Sequence, residues 1–260
     1  MKRVVYFFAF LFVSLLFASC GTTGFADYYT PWQEDNFFPE ESYLTEGESP
    51  IVIQTSDIVS KFREVSSKWY WCIGDTGFNG AELGGAEITA ALTSLCKTKR
   101  AKIAIWSRNY TDTRSGVYSL PHTNYHTYTS ANGFINSYTT TSYSTHSYSV
   151  ARYDYEAYLF VQIPENSKIL YKPGFSVCNL TQRDRDLFKQ NTGCLINIVY
   201  KYTAAYYANL FHGDIITKVN GRGFLSAEDF IEFRRTANAG DVWNMTIIRD
   251  GQEKQITLVF

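Results

Sequence analysis

Apolar and polar positions change period several times along this chain, and each change marks an element. Ile58, Phe62 and Val65 recur at helical spacing after Thr55 and Ser56, either of which can cap a helix start. Residues 68–73 are apolar and aromatic without a break and end at Gly74, which predicts a buried strand. The glycine-rich run 74–80 reads as a loop, 86–97 as a helix and 101–106 as a second strand. Strand, helix and strand at this spacing predict a βαβ unit with parallel strands.

Residues 107–150 are dominated by Ser, Thr and Tyr, with Asn132-Gly133 in the middle. Thr and Tyr favour extended chain and Asn-Gly favours a tight turn, so this stretch predicts a long polar β-hairpin rather than disorder. A last apolar strand, 157–163, leads to Pro164-Glu165-Asn166-Ser167, where a domain boundary is expected.

The remainder alternates cleanly. Leu195, Ile196, Ile198 and Val199 form a short strand, Thr203 caps a one-turn helix over 204–208, and Asn209 stands where a left-handed residue ends it. A strand over 215–219 closes at Asn220-Gly221. Ser226 with Asp229 forms a capping box for a helix reaching about Ala237, and strands 243–249 and 255–260 flank the hairpin turn Asp250-Gly251.

The first residues have a different character. Lys2-Arg3 precede an apolar run over 4–17. As a helix that run reaches about 21 Å, short of a hydrocarbon core of about 30 Å, so it predicts a cleaved targeting segment rather than a permanent span. Leu16-Phe17-Ala18-Ser19-Cys20 resembles a bacterial lipobox, which implies removal of 1–19 and acylation of Cys20. A plain secretory signal with an incidental Cys20 is the alternative. Gly21, where an Asp would hold such a lipoprotein in the inner membrane, favours the outer one. Residues 20–50 carry acids and no Lys, Arg or His, and predict an acidic tether, with Tyr28, Tyr29, Trp32, Phe37 and Phe38 able to dock on the folded part. Domains are accordingly expected at 51–165 and 166–260.

A net charge of −1 gives no field to attract nucleic acid or anionic lipid. Cys72, Cys96, Cys178 and Cys194 remain after Cys20. An exported compartment permits the pairs Cys72–Cys96 and Cys178–Cys194, and four small buried hydrophobes fit equally. His122, His126 and His146 fall in the hairpin without a carboxylate or cysteine nearby, so no metal and no cofactor is expected. The loop 74–80 lacks both the Lys-Ser/Thr and the GxGxxG of phosphate binders, and no nucleophile turn accompanies the histidines, so no enzyme is expected.

The runs Ala208-Asn209-Leu210, Gly213-Asp214-Ile215-Ile216, Val219-Asn220-Gly221, Ser226-Ala227-Glu228-Asp229, Gly240-Asp241 and Ile247-Ile248-Arg249-Asp250-Gly251 resemble, in order and spacing, a PDZ domain of the bacterial HtrA/Deg type. Asn209 stands where that family usually has Gly. The order Ile73-Gly74, Tyr110-Thr111-Asp112-Thr113, Arg152-Tyr153-Asp154-Tyr155 is loosely similar to uncharacterised envelope proteins and implies no activity. The fold implied is a mixed α+β and α/β chain: an α/β domain with a βαβ unit and a Ser/Thr/Tyr-rich hairpin, then a PDZ-like β-sandwich or barrel with two helices.

The PDZ resemblance also implies a site. Tyr171-Lys172-Pro173-Gly174-Phe175-Ser176-Val177 resembles the family's carboxylate loop and ligand strand, with one extra residue between Tyr171 and Gly174 and a proline that lacks an N–H. The N–H groups of Gly174 and Phe175 would hold a peptide carboxylate, and 175–178 would pair with the bound chain. Phe175, Val177, Phe230 and Phe233 are candidate pocket walls, with Phe230 and Phe233 equally readable as core. Arg234 occupies a usually aliphatic position. The implied function is an envelope lipoprotein that binds a protein partner through a C-terminal or extended segment, as adaptor, scaffold or sensor. The alternative is a surface protein whose tyrosine-rich hairpin contacts host or glycan, with the PDZ fold purely structural. The chain's own end, 258–260, looks like such a ligand but reads better as a core strand.

Overall fold

A computed structural model describes residues 24–34 and 37–259, with the side chains of residues 170 and 171 left out. The expected targeting segment and Cys20 lie outside the described residues. Among the described residues no helix is long and apolar enough to cross a membrane.

Two sheets organise the chain. The first has the order β1-β3-β5-β4-β2, built from β1 (Tyr29–Pro31), β2 (Ile51–Gln54), β3 (Tyr70–Ala81), β4 (Ile103–Thr129) and β5 (Ile135–Gln162). Helix α1 (Ile58–Ser67) covers one face and α2 (Gly85–Lys99) the other. Alternation along β4 explains how: Ile103 and Ile105 pack with Val65 of α1, while Ala104 and Trp106 pack with Ile88 and Leu92 of α2. A strand buried on both faces needs an unbroken apolar run, which Ile103–Trp106 supplies. Asp57 caps α1 by accepting from the Ser60 N–H at 2.9 Å, in place of the expected Thr55 or Ser56.

The βαβ unit is present as β3-α2-β4, with its two strands running in one sense and β5 inserted antiparallel between them. The directly hydrogen-bonded parallel pair is β2 with β4. The expected glycine-rich loop 74–80 is instead the second half of β3. Gly74 is required there because a Cβ would lie 2.5 Å from the Thr30 carbonyl oxygen, so this glycine lets β1 approach rather than cradling a ligand.

The acidic segment is corrected as well. Over the described residues it does not stand off as a tether. Phe25 is fully buried, Tyr43 packs in the same core, and β1 pairs with β3. Trp32 donates to Asp75 at 2.6 Å. Aromatic docking outweighs the repulsion of a few solvated acids.

The second sheet has the order β11-β10-β8-β7-β6, from β6 (Phe175–Asn179), β7 (Cys194–Val199), β8 (Ile215–Val219), β10 (Val242–Arg249) and β11 (Gln252–Val259), with β9 (Arg222–Gly223) pairing β8. Three helices accompany it: α3 (Gln182–Phe188), α4 (Ala204–Tyr207) and α5 (Ala227–Arg234). Thr203 and Ser226 cap α4 and α5 as expected, and Asn209 has φ 56. Helix α3, with a Thr181/Asp184 capping box, was not anticipated. Leu258 is buried opposite Trp243 in β11, so the chain's end belongs to the core over its described residues.

The sheets meet where Trp69 stacks on Tyr200, ring centroids 4.1 Å apart, and where the Lys201 N–H donates to the Ser67 carbonyl at 2.9 Å. All four described cysteines are free thiols. Cys72 and Cys96 belong to clusters on opposite faces of the first sheet, so they cannot pair. Cys178 stands opposite Leu195 and Cys194 opposite Asn179, so these two are offset by one position. Burial pushes the Cys72 and Cys96 thiols up to about 12.

Candidate functional site

Strand β6 ends the second sheet: β7 pairs with one side of it, and α5 lies along the other. The Tyr200 N–H donates to the Gly174 carbonyl at 2.9 Å. Since N–H and C=O alternate in direction along a strand, the carbonyl of Phe175 must then point away from β7, towards α5. It does, and it accepts from Nη1 of Arg234 at 3.0 Å. At the other end of β6, Asn179 accepts from the Ala227 N–H at 2.8 Å and donates to Glu228 at 2.9 Å. The Glu228 carboxyl is held below the usual range by backbone and side-chain hydrogen bonds. The seam between β6 and α5 is therefore tied at both ends by helix side chains bonded to the strand.

The loop before β6 is fixed from below. Gly174 has φ +110, and a Cβ there would lie 2.1 Å from the Thr203 side chain. The Gly174 carbonyl also accepts from Thr203 Oγ1 at 3.3 Å, and the Pro173 carbonyl accepts from the Ala205 N–H at 3.1 Å. Only glycine fits, because the chain must turn over the start of α4 without a side chain. Tyr171 ends a 3-10 turn over Glu165–Tyr171. Beside the loop lies a hollow of about 660 Å³ lined by Trp69, Lys168, Lys172, Lys201 and Thr203 among others, with Glu165 paired to Lys168.

The candidate walls separate into two groups. Phe175 and Phe230 are fully buried, with ring centroids 5.6 Å apart, and Phe230 packs edge-on to Phe224 and Trp243. These rings form the floor of the core rather than an open wall. Val177 and Phe233 are half-buried, as is Ser176. The residue missed is Ile231. It is half-buried, four positions after Ala227 and three before Arg234, and so shares the helix face that meets β6. Helical spacing from Arg234 would have found it, and Lys172 lies within the loop 171–177. Behind the site, Arg249 grips Asp214 through Nε and Nη2, each at 2.6 Å, and Asp214 also accepts from the Phe211 N–H at 2.8 Å. Asp214 is 1% exposed, and its hydrogen bond raises the Arg249 pKa.

Among the described residues no three His, Cys, Asp or Glu side chains cluster as metal ligands. His122 and His146 both bond to Ser144 Oγ, at 2.8 and 3.0 Å, and His126 bonds to Thr140 Oγ1 at 2.8 Å.

Residues 174–259 match the PDZ domain family. None of the curated proteins compared with the chain matches it. Among solved structures, the chain is similar to the HtrA3 PDZ domain bound to a phage-derived ligand, FGRWV, with 20% identity over 33% of this chain and 80% of that one, and a TM-score of 0.30. It is also similar to the HtrA-type protease AlgW with a decapeptide, with 16% identity over 39% of this chain, a TM-score of 0.31, and only 36% of the protease spanned. On the family match, residues 174–259 are a PDZ domain.

Proposed function

We propose that this PDZ domain takes an extended peptide, with a free hydrophobic C-terminus, as an added strand along the outer side of β6. The observation that carries the proposal is the outward carbonyl of Phe175, an acceptor facing α5 on a strand with no second strand beside it among the described residues. Lys172 and Lys201 beside the Gly174 loop give a carboxylate a favourable field. Three or four backbone hydrogen bonds contribute roughly 0.5–1.5 kcal/mol each, whereas a micromolar complex needs about 8 kcal/mol. The difference has to come largely from an apolar side chain entering between Val177 and Ile231, worth about 1.5–3 kcal/mol. In our reading the chain is a non-enzymatic envelope lipoprotein, acylated at Cys20 and favouring the outer membrane, that uses this domain as adaptor, scaffold or sensor.

The test is peptide binding by fluorescence anisotropy. Peptides ending in a free hydrophobic residue should bind at micromolar to sub-millimolar concentrations, and their amidated forms at least tenfold more weakly. Equal binding of the two forms would sink the proposal. Gly174→Glu is unsuited to this test, since a Cβ alone collides with Thr203. A second reading, a surface protein acting through its hairpin, is favoured by one observation: the far part of β4 and β5 is exposed on both faces.

A further inference from the structure

Beyond Ala81, the last residue of β3 to pair with it, β5 runs on with a bare outer edge from residue 151 to residue 135. Among the described residues its only partner there is β4, through an unbroken ladder from Thr113↔Ala151 to Thr129↔Ile135. At about 3.3 Å per residue the two-stranded ribbon projects roughly 55 Å from the sheet. Such a ribbon is marginal in water by itself, and a third or fourth strand is what normally stabilises it.

Proteins usually protect an edge of this length with charge, proline, a bulge or a covering element. Among the described residues none is present on this one. Residues 115–151 contain no Asp, Glu, Lys or Arg, in a chain whose charged fraction is 19%. β5 has no proline, whereas β4 has Pro121. The register over this span is regular.

The ribbon's side chains say which strand would fit. On one face Tyr118 stacks on His146, its opposite, with ring centroids 5.5 Å apart, and His126 stacks on Tyr138 at 4.9 Å. Within β5, Tyr138 and His146 lie four residues either side of Ser142. If β5 pairs antiparallel with another β5 so that Ser142 faces itself, Tyr138 falls opposite the partner's His146. That repeats the Tyr–His pair the ribbon already makes twice, in one row across four strands. The free edge, 135–151, has its midpoint at Tyr143, one residue from this axis, so both copies fit without meeting β3.

We propose that β5 pairs with β5 of a second copy about a twofold axis at Ser142, joining two ribbons into a four-stranded sheet. The surface is isologous, and nothing in it is repelled by its own copy. The unmet requirement is a series of backbone N–H and C=O groups, which a strand satisfies in register; a sugar would engage the rings of the face and leave the edge bare.

The test uses the full chain in mild detergent, and it does not depend on the peptide groove. Sedimentation at tens of micromolar should give twice the monomer mass. Ser142→Cys should crosslink to itself on mild oxidation, and Ser149→Cys, which would face the partner's residue 135, should not. Thr139 would stand opposite the partner's Thr145. Thr139→Lys with Thr145→Lys should therefore weaken association at least tenfold, and Thr139→Lys with Thr145→Glu should restore it to within about threefold by pairing opposite charges. A monomer at these concentrations overturns the proposal, as do equal crosslinking of the two cysteines or equal behaviour of the two charge variants. Glycan binding by a chain that stays monomeric overturns it in favour of a carbohydrate-binding face.

Discussion

Two of the molecule's strand edges, the outer side of β6 and the far part of β5, are built in opposite ways. The outer side of β6 is five residues long, runs beside α5, and has its first carbonyl bonded by Arg234 and its last side chain bonded to the helix start. The far edge of β5 is three times as long, uncharged and uncovered. A short edge with a helix alongside admits one chain of limited length in one register, so it suits a transient guest. A long edge without charge or helix discriminates only by the side chains its partner presents, and the sequence that complements it best is its own. Length and covering, rather than hydrogen-bonding capacity, separate the two roles.

The largest expected effect removes one edge and leaves the other. Asp214→Ala strips a buried carboxylate from Arg249, whose side chain is 18% exposed, and frees the Phe211 N–H. Breaking a buried pair from one side costs about 3–5 kcal/mol. The second sheet should melt well before the first, giving two resolved transitions where the unaltered chain gives closer ones. Near-UV circular dichroism of Trp243 and binding of the C-terminal peptide would follow the lower transition, and crosslinking through Ser142→Cys would survive it. A single joint transition would mean that the Trp69–Tyr200 contact couples the sheets more strongly than the comparison allows.

Alkali should act on both cores. Cys96 is fully buried in the first sheet's core, and its thiol is pushed up to about 12 from 9.0 by loss of hydration. Burial raises Cys194 in the second sheet too. Between pH 9 and about 12 the unfolded chain loses these protons and the folded one keeps them, so the stability is complete below pH 9 and falls as pH rises. The slope approaches about 1.4 kcal/mol per pH unit for each thiol. Melting temperatures from pH 8 to 10.5 should show the decline, and Cys96→Ala should roughly halve it for the first sheet's transition, the rest belonging to Cys72, and leave the second sheet's unchanged.

Much of this architecture was legible in the sequence. Period and turn chemistry located the helices at Ile58 and Ser226, the strand run around Ile103 and the hairpin at Asn132-Gly133, because each is decided by neighbours along the chain. What failed depends on distant contacts. Nothing local says that β5 slides between β3 and β4, or that Gly74 is small because Thr30 approaches it. The acids of 27–48 read as a solvated tether, since charge is visible in a sequence and the burial of Phe25 under α2 is not. At the proposed peptide site the motif gave the strand and helix, but not which helix face meets the strand. Phe230 drew attention by its size but lies in the core; Arg234 was singled out, and Ile231, on the same helix face, was not.

Arg234 is the smallest of the differences between the two edges, and it closes the β6 edge. Its guanidinium bonds the carbonyl that an added strand would need first, so a guest must displace it or recruit it. A hydrogen bond from a charged donor is worth about 1.5–3 kcal/mol, partly recovered when the displaced group returns to water. Arg234→Leu removes the competitor and extends the apolar face begun by Ile231. Affinity for a hydrophobic C-terminal peptide should rise about tenfold, equivalent to about 1.4 kcal/mol, with thermal stability little changed. Calorimetry of the variant against the unaltered chain decides the matter. A tenfold loss instead would mean that the guanidinium swings to the ligand's carboxylate, so that the β6 edge recruits its guard as part of the binding site; no change would place Arg234 outside the peptide's path altogether.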